Sequence, residues 1–222
     1  MRTLWLGAAE DVETVLAIGA HADDIEIGCG GVLLELAELC PAATVHWVVL
    51  GAEGARAEEA RLSAAEFTVG FASSQIVVES FRDGYFPYGN GAVKDRFEEL
   101  KREVSPDLIL THQRNDLHQD HRHTSELTWN TFRNHLILEY EIPKYDGDFG
   151  APNFFFPLSE AVAKRKVELI LKHFPTQLEK EWFTADLFHS LMRLRGMEAN
   201  APAGRAEAFY GRKVVLGNGA HG

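Results

Sequence analysis

The sequence predicts a three-layer α/β fold, a mostly parallel Rossmann-like sheet flanked by helices. Three observations carry that expectation. Short apolar runs rich in β-branched residues recur along the chain, stretches with apolar residues at helical spacing separate them, and the residues suited to chemistry fall directly after two of the runs. In chain order the runs are Val15 to Gly19, Val45 to Leu50, Gln75 to Val78 and Leu108 to Thr111. The intervening Gly31 to Cys40, Ala57 to Val69 and Val93 to Val104 read as crossover helices that each cover a sheet face. Further on, Thr124 to His135 reads as a helix, Leu136 to Ile142 as a strand and Ser159 to Phe174 as a helix, so the sheet extends past its fourth strand.

The segment Pro143 to Pro157 breaks the rhythm, with Tyr145, Gly147, Gly150, Pro152 and three consecutive phenylalanines, Phe154 to Phe156. Two readings stand side by side: a loop over the site, or a surface connection that tucks the phenylalanines into the core. Residues 1–216 are expected to form one domain, and Gly217 to Gly222 a flexible tail in which His221 has no role.

Among 222 residues, 45% apolar and 25% charged is ordinary globular composition, enough for one sizeable core. With 22 basic against 33 acidic residues, the formal net charge of −11 argues against a nucleic-acid or anionic-membrane partner gripped by a broad basic face. No apolar stretch approaches the roughly 20 residues that span a bilayer. The N-terminus also lacks the basic start and apolar block of a secretory signal, so a cytoplasmic location is expected, with Cys29 and Cys40 reduced. Oligomeric state is left open, a homo-oligomer included.

Two clusters carry the chemistry. Ala20-His21-Ala22-Asp23-Asp24-Ile25-Glu26 follows the first apolar run, and Asp116-Leu117-His118-Gln119-Asp120-His121 follows the fourth. Open α/β sheets place their ligands beyond the C-terminal ends of strands, and neither imidazoles nor carboxylates help a buried strand pack. A hydrolytic metal ion needs about three protein ligands and one open position for water; His21, Asp24 and His121 fit that count. His21 and Asp24 are three apart in a turn, which lets both converge on one point while Asp23 looks elsewhere. Asp23 is then free to take a proton from a water whose pKa the ion lowers towards about 7. His118 can face the same cavity and stabilise a developing oxyanion, and Asp120 can orient an imidazole.

Plainer readings compete. Asp23 and Asp24 could simply cap a helix, and a His-x-x-His spacing arises by chance. The conjunction of both clusters with strand ends favours the metal. Gly28-Cys29-Gly30-Gly31 is a poor dinucleotide loop, because the turn right after the strand is occupied by carboxylates that would repel a pyrophosphate. Small residues there instead let the helix start pack closely on the sheet. His46, His173 and His189 read as structural or surface residues.

At these residues the chain resembles the LmbE-like, or PIG-L, family of metal-dependent N-deacetylases. The signature A-H-P-D-D reads Ala20-His21-Ala22-Asp23-Asp24, and the His-x-Asp-His element reads His118-Gln119-Asp120-His121. Supporting likenesses run through Gly51 to Glu66, Phe81-Arg82-Asp83-Gly84 and Ala206-Glu207-Ala208-Phe209. The resemblance implies an LmbE-like fold, His21, Asp24 and His121 as ligands of zinc (or iron, which the same set accepts), Asp23 as general base and His118 at the tetrahedral intermediate. It also implies that Arg56 and Asp83 contact substrate hydroxyls or an anionic group, although a surface arginine and a turn aspartate would look the same. Ala22 stands where the family has proline, which loosens the turn but removes no ligand. The expected substrate is an N-acetylated amino sugar or sugar conjugate. The rivals are a hydrolase of another amide or ester, a nucleotide-binding module without metal, and an inactive carbohydrate-binding relative.

Overall fold

The computed structural model describes residues 12–89 and 91–215; the expected tail lies outside them. The elements run β1 (Thr14–His21), α1 (Asp24–Leu39), β2 (Thr44–Gly51), α2 (Gly54–Phe67), β3 (Ser73–Val78), α3 (Ala92–Glu103), β4 (Leu108–His112), α4 (Gln119–Thr131), β5 (Leu136–Tyr140), β6 (Phe154–Pro157), α5 (Glu160–His173), α6 (Ala185–Ala199) and β7 (Ala206–Gly211). The seven strands form one sheet in the order β3-β2-β1-β4-β5-β7-β6. From β3 to β5 all pairings are parallel, and β7 and β6 are added antiparallel. The strand order reverses between β1 and β4, which pair with Val15 opposite Leu108. In open α/β sheets such a switch point opens a crevice beyond the strand ends. Both clusters of candidate ligands follow these two strands.

Both sheet faces are covered, which explains the near-continuous apolar runs. Alternate residues of β1 divide between two cores: Val15 and Ala17 pack with residues of α1, α2 and α5, while Leu16, Ile18 and Ala20 pack with residues of α3 and α4. Each fully buried aliphatic side chain stabilises by about 1.5–3 kcal/mol, so the side chains of Val15, Leu16, Ala17, Ile18 and Ala20 serve packing.

Helix α1 begins seven residues earlier than its apolar spacing suggested, and Gly28 to Gly31 lie inside it. Glycine costs a helix about 1 kcal/mol relative to alanine, which is why the segment does not read as helical. Close approach explains the choice. A Cβ on Gly28 would lie 2.2 Å from the Tyr140 ring, one on Gly30 2.7 Å from Phe67, and one on Gly31 2.6 Å from Leu158.

Helix α4 likewise begins at Gln119 rather than Thr124, capped by His118, whose side chain accepts the Asp120 N–H. The connection after β5 combines both readings of Pro143 to Pro157. Its first part lines the cavity described below, whereas Phe154–Pro157 is the edge strand β6, with Phe154 and Phe156 packed against the larger core. α6 and β7 have no counterpart in the strands and helices expected from periodicity. β7 carries Glu207 into the interior, where it accepts the N–H groups of Gly31 (2.8 Å) and Val32 (2.7 Å) and pairs with Lys166 Nζ (2.6 Å). Lys166 also donates to the carbonyl of Ile27 at 2.7 Å. This buried pair ties α5 and β7 to the helix that carries Asp24.

Candidate metal centre and active site

β1 ends on His21 and α1 opens on Asp24, so only two residues make the turn between them. Asp23 takes a left-handed conformation there, with φ 89° and ψ −20°. A non-glycine residue in that region is strained, a cost that persists where surrounding structure enforces it and that clusters at functional sites. The turn brings the His21 N–H to Asp24 Oδ2 at 2.6 Å. His21 Nδ1 lies 3.5 Å from Asp24 Oδ2, His121 Nε2 3.6 Å from the same oxygen, and the two imidazole nitrogens are 3.3 Å apart. Tetrahedral ligands about 2.0–2.1 Å from a common ion stand roughly 3.3–3.5 Å from one another. The three donor atoms already have that spacing.

Proton placement fits the same conclusion. His21 Nε2 faces Asp120 Oδ2 and Asp83 Oδ1, each at 3.1 Å, and His121 Nδ1 faces Asp116 Oδ2 at 3.0 Å. These carboxylates hold a proton on the nitrogens away from the triangle, so that in the neutral rings the lone pairs lie on the nitrogens inside it. Metal-binding histidines are held by outer carboxylates in this way. His118 Nδ1 accepts the Asp120 N–H at 3.3 Å, so in the neutral ring its proton sits on Nε2 as a free donor. His112 and His118 each offer further nitrogens within 4.8 Å of members of the cluster. The Nε2 of His112, however, receives the Ala20 N–H at 2.9 Å.

Asp23 points away from the triangle, as its place between two converging ligands requires, and meets Arg56 NH2 at 2.9 Å. The guanidinium also donates to the Ala22 carbonyl and to Glu59 Oε2, and lies over the Phe174 ring. Burial, opposed by Arg56, pushes the Asp23 carboxyl up to about 6. For Asp24, burial is outweighed by the imidazoles of His121, His112 and His21, which hold it well below the usual carboxylate range. Burial and the neighbouring His112 bring His121 down to about 4, a neutral imidazole at pH 7. Burial opposes a proton on His21, but hydrogen bonds to Asp120, Asp24 and Asp83 hold its pKa well above the ordinary value, so an incoming ion displaces a proton there. Glu26, fully buried with neither oxygen hydrogen-bonded, is pushed by burial to about 8 and is mostly protonated at pH 7.

Asp120 does more than orient an imidazole. Its Oδ2 accepts the Gly84 N–H at 2.6 Å and its Oδ1 the Phe86 N–H at 3.1 Å, which fastens the Arg82-Asp83 loop beside His21. The cavity over the cluster has a volume of about 660 Å³, and His21, Asp23, Asp24, Arg56, Asp83, His118 and His121 all line it. All seven expected contacts with metal or substrate thus face one space, with Asp120 just behind them.

Three residues escaped the reading of the sequence. His112 closes β4, is fully buried and stacks on His121 with ring centroids 4.0 Å apart. Asp116 stands out in the sequence only as part of its cluster; in the structure it holds His121, the His118 N–H (2.8 Å) and Lys144 (2.9 Å). Lys144 also pairs with Asp148 at 2.6 Å. His112 had a visible signal, a polar residue ending an apolar run, whereas the partnership of Lys144 depends on the path of an irregular connection.

A family model described as PIG-L, GlcNAc-PI de-N-acetylase, matches residues 16–132, from β1 to just past α4 and across both ligand clusters. The chain belongs to the PIG-L family. PIG-L enzymes are metal-dependent hydrolases of an amide C–N bond. Among solved structures, the N,N'-diacetylchitobiose deacetylase of Pyrococcus horikoshii is similar at 19% identity and a TM-score of 0.70, over 93% of this chain and 86% of its own. GalB, the 4-carboxy-2-hydroxymuconate hydratase of Pseudomonas putida, is similar at 19% identity and 0.72, over 94% and 100%. A deacetylase of the teicoplanin biosynthesis pathway is similar at 16% identity and 0.70, over 93% and 100%. At these identities the likeness shows the LmbE-like fold. A search of curated sequences finds no match.

Proposed function

We propose that this chain is a zinc-dependent N-deacetylase that hydrolyses the acetamide of an N-acetylated amino sugar or sugar conjugate, with ferrous iron as the alternative ion for the same ligands. The observation that carries the reading is the buried Asp23 carboxylate, held by Arg56 beside the donor triangle of His21, Asp24 and His121. Family membership supports the reaction class, and neighbours named as chitobiose and teicoplanin-pathway deacetylases support the sugar.

An ion in the triangle would supply Lewis acidity towards the amide oxygen and a lowered pKa for water. Asp23 accepts the proton of the water as it adds to the carbonyl carbon, and returns it to nitrogen as the C–N bond breaks, giving acetate and a free amine. A carboxyl near 6 can do both at neutral pH. His118 directs its Nε2–H at the carbonyl oxygen as negative charge builds there. Asp83, with one oxygen on His21 and most of its side chain exposed to the cavity, takes a sugar hydroxyl. Arg56 reaches the substrate beside Asp23, although much of its donor capacity is already engaged.

One neighbour in this fold is named a hydratase, so the fold alone does not settle the reaction. The test is release of acetate and free amine from a panel of N-acetylglucosaminides by zinc-loaded protein, beside an Asp23→Asn variant. The expected result is hydrolysis that drops by about 10²-fold or more in the variant while its metal content is kept. No acetate from any member of the panel, or near wild-type turnover by Asp23→Asn, overturns the assignment.

A further inference from the structure

The sheet changes its bonding just where the metal ligands begin. β1 and β4 pair in register from Val15 opposite Leu108 to Ala17 opposite Leu110, whereas β4 stays on β5 as far as the pair His112 and Tyr140. Had the first register run on, His112 would face Gly19, and its backbone would bond the Ile18 carbonyl and the Ala20 N–H that flank Gly19 on that edge. Side chains take both groups instead. Tyr140 donates its hydroxyl to the Ile18 carbonyl at 2.6 Å, and His112 Nε2 accepts the Ala20 N–H at 2.9 Å. The two rings stand side by side, with centroids 4.8 Å apart, and both residues are fully buried. Gly28 of α1 leaves the room for Tyr140, since a Cβ there would lie 2.2 Å from its ring.

His112 thereby reaches both elements that carry imidazole ligands. On one side it holds Ala20, the residue before His21. On the other its ring stacks on His121, with centroids 4.0 Å apart and an interplanar angle of 21°. The Ala20 N–H occupies the Nε2 lone pair, which places the proton of the neutral ring on Nδ1 and keeps His112 out of the donor set, although Asp24 Oδ2 lies 3.2 Å from Nε2. Among the described residues, that Nδ1 has no hydrogen-bond partner although it is buried. An unpaired buried polar atom is costly, so packing alone would favour phenylalanine at this position.

We propose that His112 is a positioning residue for the metal centre. Its ring wedges β1 from β4 at the switch point, holds His21 through the Ala20 N–H on Nε2 and holds His121 by stacking, and so sets the separation of two ligands carried by different elements. Tyr140 supports the wedge from β5. The proposal rests on the metal reading of the donor triangle and is independent of the substrate.

The test compares wild type with His112→Phe, which keeps a ring but cannot accept, and with His112→Gln, whose amide oxygen restores an acceptor without the ring. Each is stripped of metal and reloaded, with zinc for affinity by chelator competition and with cobalt(II) for the visible absorption that reports ligand geometry; circular dichroism checks folding. The expected result is a zinc affinity lower by about tenfold or more in His112→Phe, with shifted cobalt bands, and a smaller loss in His112→Gln. A folded His112→Phe that binds zinc within about twofold of wild type and leaves the cobalt bands in place overturns the proposal. So does a folded His112→Gln that binds no better than His112→Phe, since the acceptor then does nothing for the ligands. Should neither variant fold, nitrogen NMR of the zinc-loaded wild type decides: His112 Nε2 is expected to bear neither proton nor metal, and either one there overturns the assignment. Wild type that binds no zinc is a different failure, that of the metal centre itself, and takes this proposal with it.

Discussion

Replacing Asp116 by asparagine should cripple metal binding without touching a metal ligand. Asp116 is fully buried, and three donors converge on its carboxylate: the His118 N–H on Oδ1 at 2.8 Å, and His121 Nδ1 and Lys144 Nζ on Oδ2 at 3.0 and 2.9 Å. These neighbours hold its pKa well below the usual range despite burial. Asparagine has one accepting oxygen. If that oxygen keeps the His118 N–H, an NH₂ group faces His121 Nδ1, and the imidazole relieves the clash by moving its proton to Nε2, the atom that faces Asp24 and His21. That proton occupies the lone pair a metal needs. Loss of such an outer partner costs about 10–100-fold in metal affinity, or about 1.4–2.7 kcal/mol at 1.36 kcal/mol per factor of ten. Zinc affinity of Asp116→Asn, measured by competition with a chromogenic chelator and with circular dichroism to check folding, should fall by that factor. A folded variant that binds zinc within twofold of wild type would refute the role of Asp116 in fixing the His121 tautomer.

Two further predictions concern the frame around the site. Glu207→Ala strands the buried Lys166 and two backbone N–H groups of α1, and should cost about 3–5 kcal/mol in urea denaturation. Lys166→Met leaves Glu207 its two N–H donors and should cost less, about 1–3 kcal/mol; the reverse order would contradict this picture of the pair. On the surface, Lys172, His173 and Arg165 bring the Glu66 carboxyl down to about 2. Because the folded pKa lies below the unfolded value of about 4.3, the stabilisation is complete above that value and disappears as pH falls through about 2. Wild type should therefore exceed Glu66→Gln by roughly 0.5–1 kcal/mol at pH 7, and the gap should close on acidification; a gap that widens at low pH would exclude the cluster as its source.

The parallel part of the fold was legible because its inner strands are buried on both faces, so β1, β2, β4 and β5 announce themselves as apolar runs, whereas the edge strand β3 shows only in its half-buried Ile76 to Val78. What failed to show was whatever depends on distant contacts. Gly28 to Gly31 looked unhelical because glycine is a poor helix former, and only the rings of Tyr140 and Phe67 and the side chain of Leu158 explain them. β6 has only four residues, β7 and β6 pair antiparallel, and they carry Glu207 and Pro157, which dilute a strand pattern. The ligand clusters could be read because each lies within seven residues or fewer of sequence and follows an apolar run. The roles of His112, Asp116 and Lys144 could not, since each is fixed by neighbours that sequence spacing does not display. Arg56 illustrates the middle ground: the family resemblance implies contact with substrate hydroxyls or an anionic group, and the structure pairs it with the carboxylate of Asp23.

Metal content of the purified chain, by mass spectrometry beside His121→Ala, tests the central claim most directly. About one equivalent of transition metal per chain is expected in the wild type and its loss in the variant, because the donors of His21, Asp24 and His121 form one three-point site. No bound metal in the wild type after zinc is offered, or undiminished metal in His121→Ala, would contradict it.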